Sequence, residues 1–216
     1  MVLLYPGFGM ERLLLAGEET NIDLSIAYLE NLVRVKPDNR LKLMLARRFM
    51  TVNDYKRAGR LLKEVAASRT GMEENPDWLL VSYRLAVSLR DYETARNYAQ
   101  RLAIAEKDPS WYEKAAEAAL HTNDYAKAIE YHEAALRTES DHRKRFPYFR
   151  GAVEAALWGG DYGMVKRLIS LYGKEFSVDV EMAQFVLASA LATGDVSFAR
   201  TVALVILTNL QSENTW

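Results

Sequence analysis

With 216 residues, half of them hydrophobic, the chain can build a large core, and its composition carries none of the biases of disordered, collagenous or disulfide-stapled proteins. Twenty-eight basic residues against 29 acidic ones leave a formal net charge of −1, which argues against nucleic acid as a partner, because such binders carry a basic stripe. The absence of Cys excludes disulfides, thiolate metal sites and a cysteine nucleophile together.

The chain opens with MVLLYPGFG, an apolar run too short to span a membrane, which needs roughly 18 apolar residues. A dipeptide then recurs: Asp54-Tyr55, Asp91-Tyr92, Asp124-Tyr125 and Asp161-Tyr162, with Asp195-Val196 as a fainter fifth copy and Asn21-Ile22 in the same frame upstream. With 11 Asp and 12 Tyr in the chain, chance alone gives roughly 0.6 such pairs, so the four are marks of an internal repeat. The markers stand at 21, 54, 91, 124, 161 and 195, at intervals of 33, 37, 33, 37 and 34 residues.

Taken in order, the six units span about 6–38, 39–75, 76–108, 109–145, 146–179 and 180–216, and each reads as two helices. First helices are predicted in LKLMLARRFM, LLVSYRLAVSL, YEKAAEAAL and FRGAVEAALW, with Pro76, Pro109 and Pro147 where such helices begin. The residues just before the markers include Asn53, Asn123, Gly160 and Gly194, types that tolerate the left-handed conformation at a helix end. Asp then suits the N-cap of the second helix, where its carboxylate accepts orphan backbone N–H groups. Four residues on come Ser25, Ala58, Ala95, Ala128, Val165 and Ala199, small in five of six cases, as a close helix crossing requires. Apolar residues eight and eleven after most markers complete a helical stripe. The two 37-residue intervals place extra length around SRTGMEENP and TESDHRKRF, and no segment reads as a strand.

A helix pair of about 34 residues with this signature resembles the tetratricopeptide repeat. The resemblance covers essentially the whole chain and implies an all-α, right-handed superhelical solenoid of six repeats whose first helices line a binding groove, a surface for proteins or peptides. It would turn inward the residues seven before each marker, among them Arg47, Arg84, Glu117 and Glu154, and those eleven and three before it, among them Glu113, Arg150 and Trp158. The expected groove is basic near repeats two and three and acidic near four and five, with Arg150 and Trp158 as anchors. The alternative is that these charges solvate an exposed face or pair with each other across neighbouring helices, the default for surface charge. The Lys and Asn set of chaperone-tail-binding members has no match here.

Catalytic residues are not expected. Glu113 and Glu117 share a helical face without an implied pocket, and His121, His132 and His142 show no ligand spacing, so neither metal nor cofactor is called for. The run His142-Arg143-Lys144-Arg145 reads as a solvated basic connector.

TVALVILTNL near the end has no charge and no polar cap follows it, and the start is equally bare, so the chain is expected to be a segment of a longer protein. The phrases AYLENLVRVKPDNRLKLMLARRFM, RDYETARNYAQRLA, SWYEKAAEAAL and RFPYFRGAVEAAL resemble the N-terminal repeat region of bacterial Pel-type exopolysaccharide export proteins. That resemblance implies a periplasmic, non-enzymatic scaffold in an envelope-anchored parent protein, with VLLYP at 2–6 as the tail of a membrane anchor. Its partner would be a periplasmic polysaccharide deacetylase or hydrolase. A direct polysaccharide contact through Trp111, Tyr112, Tyr148 and Trp158 and a generic cytoplasmic adaptor stand as the alternatives.

Overall fold

The computed structural model describes residues 22–68 and 71–213, and the side chains to residue 208. Every regular element among them is helical: α1 (Ile22–Val35), α2 (Asn39–Thr51), α3 (Tyr55–Ser68), α4 (Pro76–Ser88), α5 (Tyr92–Glu106), α6 (Ser110–His121), α7 (Tyr125–Thr138), α8 (His142–Trp158), α9 (Tyr162–Tyr172), α10 (Val180–Ala192) and α11 (Val196–Glu213). Single 3₁₀ turns lie at Met72–Glu74 and Glu175–Ser177. The first helix of repeat one and the apolar start fall outside the described residues.

Each marker builds the same corner. Asn53, Arg90, Asn123, Gly160 and Gly194 have φ of 59°, 58°, 55°, 70° and 71°, so the first helix ends in a left-handed residue in each of the five described cases. The amide of Asp54 then donates to the Phe49 carbonyl at 2.8 Å while that of Asn53 donates to Met50 at 3.0 Å, the paired bonds of a Schellman end, and the same long bond recurs at Asp124, Asp161 and Asp195. The Asp side chain turns the other way. Asp54, Asp91, Asp124, Asp161 and Asp195 accept from the amides of Arg57, Thr94, Lys127, Met164 and Phe198 at 2.9–3.1 Å, capping the second helix. One residue thus closes one helix with its backbone and opens the next with its side chain.

The residues four after the markers are all buried: Ser25, Ala58, Ala95, Ala128, Val165 and Ala199. The repeats are expected as one solenoid domain over 1–216; within the chain two compact units are distinguished, divided at Arg90/Asp91. The third repeat straddles the division, with α4 in one unit and α5 in the other. In the first unit α2 packs on α1, α3 and α4 around Leu45, Phe49, Leu62, Val65 and Leu79. The indole of Trp78 donates to the Leu62 carbonyl at 2.9 Å, and Lys42–Glu64 (3.0 Å) and Arg57–Glu30 (3.3 Å) tie neighbouring helices. In the second unit the α5–α8 interfaces are alanine-rich, with Ala99, Ala115, Ala116, Ala119, Ala128, Ala152 and Ala156 at 0% exposure, so the helices approach closely. Further on an aromatic cluster takes over: Phe149 stacks on Phe176 at 4.9 Å between centroids and meets Phe185 edge-on at 6.1 Å.

One sequence expectation fails at the fifth repeat. Pro147 does not begin a helix; α8 begins at His142, ahead of the boundary expected at 146, so the basic run is its first turn and not a connector. Asp141 decides the start by accepting from the amides of Arg143 (2.9 Å) and Lys144 (3.3 Å). His142 stacks on Phe176 at 5.3 Å, and Arg145 pairs with Glu175 at 3.3 Å, so tertiary contacts hold the added turn although Pro147 contributes no amide to it. Pro76 at the first turn of α4 behind the Asn75 cap, and Pro109 just before α6, stand at helix starts as expected.

Ala128 marks the closest test of this register. Its replacement by Leu has no room at 0% exposure and should destabilise the protein by roughly 1–3 kcal/mol, read as a lowered urea midpoint and melting temperature. An unchanged melting curve would contradict the crossing described.

Candidate functional site

In the first unit Arg47 projects from the middle of α2 and pairs across to Asp77 at the start of α4, Nη2 to Oδ1 at 3.4 Å. The bond is long, and Nε of the same guanidinium is buried with no hydrogen-bond partner among the described residues. A cleft of about 370 Å³ lies here, lined by Asn39, Arg40, Leu43, Met44, Arg47, Met72, Asn75 and Asp77. The elements that shape it are legible locally. Asp38 caps α2 by accepting from the amide of Arg40 at 2.7 Å, and Asn75 caps α4 by accepting from Asp77 at 3.0 Å, which sets both helix starts beside the 3₁₀ turn at Met72. Arg84 on α4 is exposed and makes no ion pair among the described residues.

In the second unit most of the expected anchors are already engaged. Glu117 accepts from Lys114 at 2.9 Å one turn away, and Arg150 donates from Nε to Glu154 at 2.7 Å while its guanidinium lies 5.7 Å from the centre of the Phe185 ring. Glu117, Arg150 and Glu154 are thus paired along their own helices. Glu113 is half-buried, and desolvation, reinforced by the charge of Glu117 and opposed by Lys114, pushes its carboxyl above the usual range. Trp158, at 60% exposure, is the one of the four candidate aromatics with a largely free ring. Tyr148 is core at 8%, and Trp111 is half-buried with its indole N–H donating to Glu106 at 2.7 Å. Tyr112 is half-buried.

Residue exposure separates the two faces of the repeat. Every described residue seven or three before a marker is exposed or half-buried: Arg47, Arg84, Glu117, Glu154 and Ala188, and Thr51, Ser88, His121, Trp158 and Ala192. Eleven before, Leu43 is buried, while Leu80, Glu113, Arg150 and Gln184 are not.

Two buried polar residues were not anticipated. Glu133, at 6% exposure, is held by a fork from Arg167, at 3.2 and 3.3 Å, joining α7 to α9. His132 is equally buried, with Nδ1 lacking a hydrogen-bond partner among the described residues, and its ring lies against Gly151 of α8. A Cβ at Gly151 would sit 2.4 Å from Cε1 and 2.6 Å from Nε2 of that ring. The signal in the sequence was positional, since His132 occupies an apolar-stripe position eight after its marker. What it lacked was the facing helix, where glycine makes room for an imidazole. His121 instead lies exposed, stacked on Tyr92 at 4.1 Å. Among the described residues no group of three or more His, Asp or Glu is placed to hold a metal ion, and no helix is long and apolar enough to cross a membrane.

With corners, crossings and open faces in place, the fold is that of a tetratricopeptide-type helical-repeat protein. No family model matches the chain, and no curated protein does. Solved structures similar to it include a MamA RS-1 double mutant, with a TM-score of 0.58 and 14% identity over 77% of this chain and 90% of that one. MamA from residue 41 onward of Desulfovibrio magneticus RS-1 gives 0.52 and 15% over 76% and 93%. PilF of Pseudomonas aeruginosa gives 0.53 and 17% over 94% of this chain and 95% of its own. At these identities the likeness is one of fold.

Burial lowers the pKa of His132 from 6.5 to about 4. Folding favours the neutral ring, so its contribution is complete above pH 6.5 and is lost as the pH falls toward 4, a difference on the order of 3 kcal/mol. Urea midpoints measured between pH 7.5 and 4 should therefore fall more steeply for the native chain than for His132→Gln, and parallel curves would contradict a buried neutral imidazole. Gly151→Ala should destabilise markedly with His132 in place and much less in a His132→Ala background, a coupling that thermal unfolding of the four proteins would measure.

Proposed function

We propose that this chain is a non-catalytic scaffold that binds other proteins through the outward faces of its first helices. The observation that carries this reading is the split in exposure between the two faces: four residues after each marker the chain is sealed, while seven and three before it every described position is exposed or half-buried and chemically varied. A repeat whose packing is uniform and whose open positions differ from copy to copy is suited to recognise a partner along several repeats. Arg47, Arg84, Glu113, Glu117, Arg150, Glu154 and Trp158 are the contact residues of this reading. Arg84 and the orphaned Nε of Arg47 have binding capacity uncommitted within the described structure, whereas Glu117, Arg150 and Glu154 would have to exchange an existing ion pair for a partner's. Trp158 offers the exposed aromatic surface typical of an interface anchor.

The finer reading is that the scaffold is a periplasmic segment of an envelope-anchored exopolysaccharide export protein of the Pel type and docks a polysaccharide deacetylase or hydrolase. Its support is the resemblance of the four quoted phrases. Direct contact with polysaccharide rests on Trp158 alone, since Tyr148 is core and Trp111 and Tyr112 are half-buried.

Cross-linking and pull-down from source cells tests both levels. Arg47→Glu with Arg84→Glu should leave the fold intact and lower capture of the partner by roughly tenfold or more, as reversal of interface charge does. A deacetylase or hydrolase lost on reversal supports the export reading. A cytoplasmic partner retires that reading in favour of a general adaptor, and capture indifferent to the reversal removes the two arginines from the interface.

A further inference from the structure

The cleft beside Arg47 has features that name what it takes. Its lining holds two guanidinium groups, Arg40 and Arg47, against one carboxylate, Asp77, so it is formally cationic by one charge. Arg47 is only half committed: Nη2 reaches Asp77 at 3.4 Å, and Nε is buried without a partner among the described residues. A buried, charged donor with no acceptor is costly, and a carboxylate that supplies the missing acceptor removes that cost. The edge of a guanidinium that carries Nε and an Nη is also the edge that receives a carboxylate in two parallel bonds. Beside it Leu43, Met44 and Met72 provide an apolar wall of flexible side chains, which adapts to an aliphatic group better than to a flat polar one. At about 370 Å³ the cleft is at the small end of the roughly 300–1,000 Å³ usual for ligand pockets, room for a few side chains and not for a folded element.

We propose that this cleft is a peptide subsite that takes a glutamate or aspartate side chain of a partner together with an adjacent aliphatic residue, the carboxylate on Arg47 and the aliphatic group against Met44 and Met72. The inference rests on the scaffold reading and specifies its partner. A side-chain carboxylate is assigned in preference to a chain terminus because the open positions continue past Arg47 on α2 to Thr51 and recur on α4 at Leu80, Arg84 and Ser88, so a bound segment runs on beyond the cleft. Asn39 and Asn75 do not compete for the carboxylate: Asn39 donates to the Ser68 hydroxyl at 2.7 Å, and Asn75 uses its carbonyl oxygen to cap α4.

The test is fluorescence anisotropy on the whole chain with three dye-labelled nonapeptides: one with a central Leu-Glu pair and an amidated C-terminus, its Leu-Gln counterpart, and the Leu-Gln peptide with a free C-terminus. The Leu-Glu peptide should bind roughly ten- to hundredfold tighter than the amidated Leu-Gln peptide, the range for a hydrogen bond to a charged group, and Arg47→Gln should erase that preference. Arg47→Lys should retain only part of it, because an ammonium cannot make the paired bonds. Circular dichroism melts establish that each variant is folded, and Arg60→Gln, at an exposed arginine of the second helix α3, serves as a basic-residue control outside the cleft and outside the first-helix face. Equal binding of Leu-Glu and Leu-Gln, no binding of any peptide, a preference for the free C-terminus, or a preference that survives Arg47→Gln each overturns the assignment. Capture of a cellular partner that persists with Arg47→Gln overturns the subsite and leaves the scaffold reading standing, whereas failure of the native chain to capture any protein removes the scaffold reading itself.

Discussion

The structure depends on one local constraint: an aspartate that follows a residue in the left-handed conformation. At Asp54, Asp124, Asp161 and Asp195 the amide closes the preceding helix and the carboxylate caps the following one, so the two helices of a pair are joined with no spare residue between them. A connection this short leaves the second helix little freedom but to fold back beside the first. Four residues on, alanine at 58, 128 and 199 lets the backbones meet, with valine at 165 in the same place, and the long side chains of the stripe fill what remains. The tight corner thus decides the crossing, and the crossing decides which face is left over.

That leftover face is where function can vary without cost to the fold. A charge at Arg47, Arg84, Glu117 or Glu154 touches neither corner nor crossing, so the repeat tolerates different residues there while its packing stays fixed. The ion pairs observed on this face are shallow. Lys114–Glu117 and Arg150–Glu154 lie within single helices, where such pairs contribute only about 0.3–0.5 kcal/mol, so exchanging them for a partner's charges is inexpensive. The pair Glu133–Arg167 differs in kind. Its carboxylate is buried and its guanidinium comes from the next repeat, so it serves to couple neighbouring repeats and is not available to a partner.

Two positions show how tertiary contacts override local signals. Pro147 marks a helix start in any reading by propensity, yet α8 begins one and a half turns earlier, because Asp141 caps it and Glu175 and Phe176 engage His142 and Arg145. Glu175 and Phe176 lie thirty or more residues from the side chains they engage, out of reach of a local pattern. His132 follows the opposite logic. Its place on the apolar stripe was legible, but an imidazole is accepted there only because residue 151, on the facing helix, has no side chain.

The repeat, its period, the aspartate corners, the small residue at each crossing and the all-α class were readable from the sequence, because each is set by interactions within a few residues: a left-handed φ, a cap bond, a helical stripe. The positions of the candidate contact residues on the first helices were readable for the same reason. What those residues do there was decided by tertiary structure. Whether Arg47 stands half satisfied above a cleft, whether Arg150 is occupied by Glu154, and whether Tyr148 is core while Trp158 is bare depend on which helix packs opposite, and that is fixed by contacts between residues distant along the chain.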